Sequence, residues 1–189
     1  MITAASLRHA GQGFRDVVAL VGDDQWQLST PCDRWTVRQL VGHVASGCQM
    51  AATLADGCNR QDAITVLGVD HLGDRPLAAI DAAIERQQAA FDQPGIDTHV
   101  FQHPAGDMTG TQVIRLRVGD LLVHQWDLAR AIGADDTLDP GLVQEVWDGI
   151  APMIPMMATT GVFGSGPSGS IADDAPMQMR LLDAMGRRP

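Results

Sequence analysis

Apolar residues recur along this chain at helical rather than strand spacing. Between residues 4 and 21, Leu7, Phe14, Val18 and Val21 fall along one side of a helix. A loop containing Pro31 follows. The stretch WTVRQLVGHVASGCQMAATLA then predicts a second helix, because Thr36 and Gln39 form a capping box at its start. Its apolar face is Val37, Leu40, Val41, Val44 and Cys48, and His43 stands beside Leu40 and Val44 at the edge of that face. Residues 56–74 are rich in Gly and Asp and read as a loop. Asp74 is placed to cap a third helix, with Pro76 in its first turn. Leu77, Ile80, Ile84, Gln87 and Phe91 carry that helix to about Gln93, where Pro94 and Gly95 end it.

Turn chemistry between Pro104 and Gly110 predicts a short hairpin. The strongest signal is TQVIRLRVGDLLVHQWDLARAIG, a helix from about Thr111 to Ile132 with Gly133 as its stop. A fifth helix starts near Pro140, runs through Val143 and Trp147, and is broken by Pro152 and Pro155. GVFGSGPSGS reads as a flexible loop and PMQMRLLDAMG as a short last helix. Four substantial helices joined by short or medium loops predict an all-α protein, an antiparallel four-helix bundle over about residues 4–135. The remainder, about 136–189, would pack outside it, and with no internal repeat the whole chain 1–189 is expected to form one domain.

Composition agrees with that pattern. Tyr is absent and aromatics make up 4%, so Ala, Leu, Val, Met and Ile must build the core, a set that favours helices. Met153, Met156 and Met157 are expected in that core, although Met-rich flanks also leave a homodimer open. The net charge of −10 argues against nucleic acid and against an anionic membrane surface as partners. Cys32, Cys48 and Cys58 are sparse and lack C-x-x-C spacing, so neither a disulfide framework nor a zinc ribbon is expected. With no apolar leader in MITAASLRHAGQGFRD and no run of about 18 apolar residues, a cytoplasmic protein is expected.

One constellation changes the picture. Asp120 and His124 are four residues apart on the strongest helix, so their Cβ atoms lie roughly 6 Å apart on one face, and one cation can bridge them. His43 projects from another helix, and bundles build metal sites from facing helices. Two imidazoles and one carboxylate leave coordination positions open, as in catalytic sites. A buried Asp120 is costly unless paired, and Arg115 or Arg117 could pair with it instead. Asp127 is a competing ligand, or else a partner for Arg130 three residues on. His99 and His103 would lie about 13 Å apart in an extended stretch and could not share an ion. His9 and His71 stand in polar surroundings and are expected to be solvated. Cys32 could sit near the pocket but is expected mainly as a buried structural thiol.

TPCDRWTVRQLVGHV followed by DLLVHQWDLARAIG resembles the metal-binding domain of mycothiol-dependent maleylpyruvate isomerases, of the DinB-like four-helix-bundle superfamily. The tail DDAPMQMRLLDAMGRRP is similar to an actinobacterial branch of it. The resemblance implies His43, Asp120 and His124 as metal ligands, with Asp127 as a supporting residue. Asp120 stands where the isomerase has Glu, and the isomerase's C-terminal domain has no counterpart here, so turnover of maleylpyruvate is not expected. What the resemblance implies is a divalent metal ion (zinc first, then nickel or iron) and a low-molecular-weight thiol such as mycothiol. These would serve an S-transferase or isomerase acting on a small electrophile. The alternatives are a metal-dependent hydrolase and a non-enzymatic bundle that binds or senses metal.

Overall fold

The computed structural model describes residues 1–32, 35–154 and 166–189. The described helices are α1 (Ala4–Val18), α2 (Val37–Ala55), α3 (Arg60–Leu67), α4 (Pro76–Phe91), α5 (Gly110–Ile132), α6 (Pro140–Ile150) and α7 (Met177–Ala184). Two strands, β1 (Val100–His103) and β2 (Gly106–Thr109), pair antiparallel as the expected hairpin. None of these helices is long and apolar enough to cross a membrane.

The fold is the expected all-α four-helix bundle, made by α1, α2, α4 and α5. α1 packs on α5 and α4, and α2 packs on α4 and α5, so the four enclose one core. Leu7 and Phe14 of α1, Leu40 and Leu54 of α2, Ile80 and Phe91 of α4, and Leu121, Leu122 and Leu128 of α5 are fully buried in it. The five apolar positions assigned to the second helix are all buried. Thr36 caps α2 with the capping box read from sequence, and Thr109 does the same for α5 with Gln112. Thr109 is also the last residue of β2, so the hairpin feeds straight into the helix that carries Asp120 and His124.

Several expectations are corrected. α1 ends at Val18, and Val21 lies beyond it, partly buried. Residues 60–67, read as loop, form α3, capped by the Asn59 side chain accepting from the Asp62 N–H. Only Ala63 of that helix is buried, so it has no apolar stripe to detect. Arg75, not Asp74, occupies the cap position of α4, and Leu77 is exposed rather than part of its buried face. A 3-10 turn at Ala151–Met153 follows α6, and Met153 is exposed rather than in the core. Pro155, Met156, Met157 and the first half of the glycine-rich loop lie outside the described residues.

α6 packs against α5, and α7 against α6. The Arg180 guanidinium stacks on the Trp147 ring at 4.6 Å, and the Gln178 side chain bonds Leu138 N–H and Asp136 C=O. These contacts bring the end of α7 to the part of α5 that carries Asp120, His124 and Asp127.

Candidate metal centre

His43 and Asp120 meet between α2 and α5, and His124 lies one turn beyond Asp120. His43 Nε2 is 3.2 Å and His124 Nε2 3.4 Å from the same atom, Asp120 Oδ1. One ligating atom from each of the three residues falls in a cluster no wider than 4.8 Å. Tetrahedral coordination with bonds of about 2.1 Å separates neighbouring ligand atoms by about 3.4 Å. Both measured separations match that spacing, so the donor set fits a small divalent ion. His124 is buried, while the His43 and Asp120 side chains are 36% and 24% exposed, which places the cluster at the mouth of the bundle.

Beneath the cluster lies a buried cation. Arg117 donates from Nη1 to Asp120 Oδ2 at 2.7 Å, from Nε to Gln87 Oε1 at 2.9 Å, and from Nη2 to the Val44 carbonyl at 3.3 Å and Cys48 Sγ at 3.4 Å. Of the two arginines considered for Asp120, Arg117 is the partner and Arg115 is exposed. Burial would raise the Asp120 carboxyl, but Arg117 and the two imidazoles outweigh it and hold the group well below the usual carboxylate range. Burial pushes the Cys48 thiol up, against the opposing pull of Arg117. Gln87, an odd residue on an apolar stripe, is thus explained as an acceptor for the guanidinium.

Gly47 makes room for Arg117. A Cβ at this position would overlap the guanidinium nitrogens and carbon. Gly47→Ala is therefore expected to cost about 1–3 kcal/mol by overpacking, despite alanine's better helix propensity. Thermal unfolding of the purified variant checks this, and an unchanged or raised Tm would contradict it.

On its other side, His124 Nδ1 is 2.9 Å from Asp127 Oδ2. Asp127 is wholly buried and is held by Arg187, from Nη2 to Oδ2 at 2.6 Å and from Nε to Oδ1 at 3.2 Å. Arg130, the sequence-based partner for Asp127, instead pairs with Asp136 at 2.9 Å and stacks on Trp126. Burial would raise the Asp127 carboxyl and lower His124, yet their mutual contact, with Arg187 and Asp120, reverses both directions. Cys32 is only partly buried and comes within 4.8 Å of His124 and Asp127. That second grouping does not offer a free carboxylate, since Arg187 already engages both Asp127 oxygens.

The remaining histidines lie elsewhere. His71 Nε2 bonds the Val66 carbonyl at 2.8 Å rather than being solvated, and His9 is exposed. The His99 ring packs tilted against Phe101, while His103 is buried and accepts from the Ala105 N–H at Nδ1. Reading by sequence missed Trp35 and Arg187. The Trp35 ring lies 4.6 Å from the His43 ring and 5.7 Å from the His124 ring, centroid to centroid, and so walls both imidazoles. Its place in the PCDRWT segment was the available signal. Nothing local to Arg187 pointed to the site.

The bundle thus gathers two imidazoles and a carboxylate, a set of potential metal ligands, between two of its helices. The chain belongs to the family described as the mycothiol maleylpyruvate isomerase N-terminal domain, whose model matches residues 7–129. Two proteins of Mycobacterium tuberculosis, one from each of two strains, are each 31% identical to it over 173 residues. The match covers 89% of this chain and 85% of each relative, and both relatives are described as uncharacterised. The crystal structure of a histidine-to-alanine mutant of the mycothiol-dependent maleylpyruvate isomerase superposes with a TM-score of 0.62 at 14% identity, over 80% of this chain and 67% of that one. A second crystal structure of that isomerase gives 0.59. At that identity the likeness is one of fold.

Proposed function

We propose that this chain binds one divalent metal ion, zinc in the first instance, through His43 Nε2, His124 Nε2 and the Asp120 carboxylate, and serves thiol-dependent transfer or isomerisation of a small electrophile. The observation that carries the reading is the convergence of both Nε2 atoms on Asp120 Oδ1, at 3.2 and 3.4 Å. The ion, when bound, acts as a Lewis acid that holds a low-molecular-weight thiol such as mycothiol as its thiolate at neutral pH. Three protein ligands leave room for that thiol.

The residues around the ligands have separate tasks. Arg117 engages Asp120 Oδ2, which leaves Oδ1 as the ligating oxygen. Asp127 engages His124 Nδ1, which leaves Nε2 for coordination. Trp35 packs against both rings and keeps water from that flank. The half-exposed His43 marks the side from which a thiol and its electrophile would enter.

Elemental analysis of purified wild type and His124→Ala tests the metal first. We expect near-stoichiometric metal in the wild type after incubation with zinc and loss of it in the variant. Turnover of an electrophile panel with and without mycothiol tests the rest. Thiol-independent hydrolysis would move the assignment to a metal-dependent hydrolase, and bound metal without any turnover would move it to a non-enzymatic bundle.

A further inference from the structure

We propose that Arg187, near the chain's C-terminal end, is a positioning residue for the metal centre: it holds Asp127, and Asp127 sets the orientation and tautomer of His124. The inference rests on the metal-binding reading above and extends it to a part of the chain beyond residues 7–129, which the family model matches.

Asp127 has no exposed surface, so its charge requires a partner inside the protein. Arg187 supplies a two-point contact, Nε to Oδ1 and Nη2 to Oδ2, and its remaining Nη1 donates to the Met185 carbonyl at 2.8 Å. Each of its three nitrogens is therefore engaged, and the side chain is only 11% exposed, which suits orientation rather than capture of a substrate anion. An ionised Asp127 only accepts hydrogen bonds. His124 Nδ1, 2.9 Å from Oδ2, must then carry the proton, and the lone pair of the neutral ring falls on Nε2, the nitrogen that faces Asp120 and His43.

The C-terminal segment is built to deliver this side chain. Leu181 and Leu182 of α7 are fully buried. The helix closes with Gly186 at a φ of 79° and with Arg187 N–H donating to the Leu182 carbonyl at 2.8 Å, which turns the chain back toward α5. A side chain bearing Cβ is disfavoured at that φ. The sequence separation of 60 residues between Arg187 and Asp127 makes the contact wholly tertiary.

The test uses the full chain as wild type, Arg187→Ala, Arg187→Lys and Arg130→Ala, with circular dichroism as the check on folding. Zinc affinity is measured by calorimetric titration, and the geometry at the ion by the visible spectrum of the cobalt(II)-loaded protein. Arg187→Ala is expected to raise the zinc Kd about 10–100-fold, the usual effect of removing a group behind a ligand, and to alter the cobalt spectrum. Arg187→Lys, which keeps the charge but not the fork, should recover part of the affinity. Arg130→Ala should change neither. A folded Arg187→Ala with wild-type Kd and spectrum overturns the proposal. If that variant does not fold, Arg187→Lys decides: a Kd equal to wild type overturns it, and a weaker one supports it. If the wild type itself takes up no metal, the metal reading fails, and the positioning role is judged on metal-free protein by NMR of the histidine ring nitrogens, with the rings neutral. A proton fixed on His124 Nδ1 in wild type but not in the Arg187 variant supports the role. The same tautomer in both overturns it.

Discussion

Arg117→Met is expected to destabilise the metal-free protein by about 3–5 kcal/mol, the cost typical of breaking a buried pair by removing one partner. Arg117 is 5% exposed and serves four acceptors, Asp120 Oδ2, Gln87 Oε1, the Val44 carbonyl and Cys48 Sγ. Methionine fills a similar volume but donates to none of them. Asp120, a quarter exposed, keeps its charge and loses the guanidinium that offsets its partial desolvation, and Gln87 and the Val44 carbonyl lose their donor. Zinc should then recover more stability in the variant than in the wild type, because a dication at Oδ1 supplies the positive charge that Arg117 no longer provides. Ligand at 100 times its Kd adds about 2.7 kcal/mol to any protein that binds it only when folded. Urea unfolding of both proteins, without zinc and at the same free zinc concentration, measures the difference. An equal zinc gain in the two would show that Arg117 and the metal do not share Asp120.

Asp120→Asn is expected to abolish tight metal binding and to destabilise the metal-free fold by a comparable amount. Asparagine keeps the shape but removes the anion on which both imidazoles and Arg117 converge. The stability loss now comes from the other partner, since the buried guanidinium is left without its counter-ion. Zinc affinity should fall by more than the roughly 10–100-fold expected for groups that only support a ligand. The double variant Arg117→Met/Asp120→Asn should lose less stability than the two single losses added, because neither charge is then left unpaired. A zinc titration of Asp120→Asn and an unfolding cycle over the four proteins check both statements. Strict additivity, or wild-type zinc affinity in Asp120→Asn, would contradict them.

Legibility in the sequence followed burial. α2 and α5 carry long apolar stripes and capping boxes, and their starts and faces were readable within a residue or two. α3 buries only Ala63 and left no stripe, so its eight residues passed for a loop. At α4 a capping residue was expected from Asp74, but the helix begins at Pro76, so Arg75 holds the cap position and no side chain caps the helix. Local chemistry also misassigned Asp127. Arg130 is three residues away, but Asp127 points into the core, where Arg187 arrives from α7, and Arg130 turns outward to Asp136.

The sequence by itself determined the bundle helices, the Asp120–His124 spacing and the family resemblance, and the resemblance named His43 as the third residue. Each of these depends on spacing within a helix or on a short motif, and such relations survive without knowledge of the fold. The tertiary structure decided what surrounds the three. It chose Arg117 over Arg115 by burial, set Gly47 and Gln87 around the guanidinium, laid Trp35 over both imidazoles, and brought Arg187 to Asp127. Those choices depend on which faces are buried together and on contacts between residues far apart in the chain, and neither is encoded in the periodicity of any single segment.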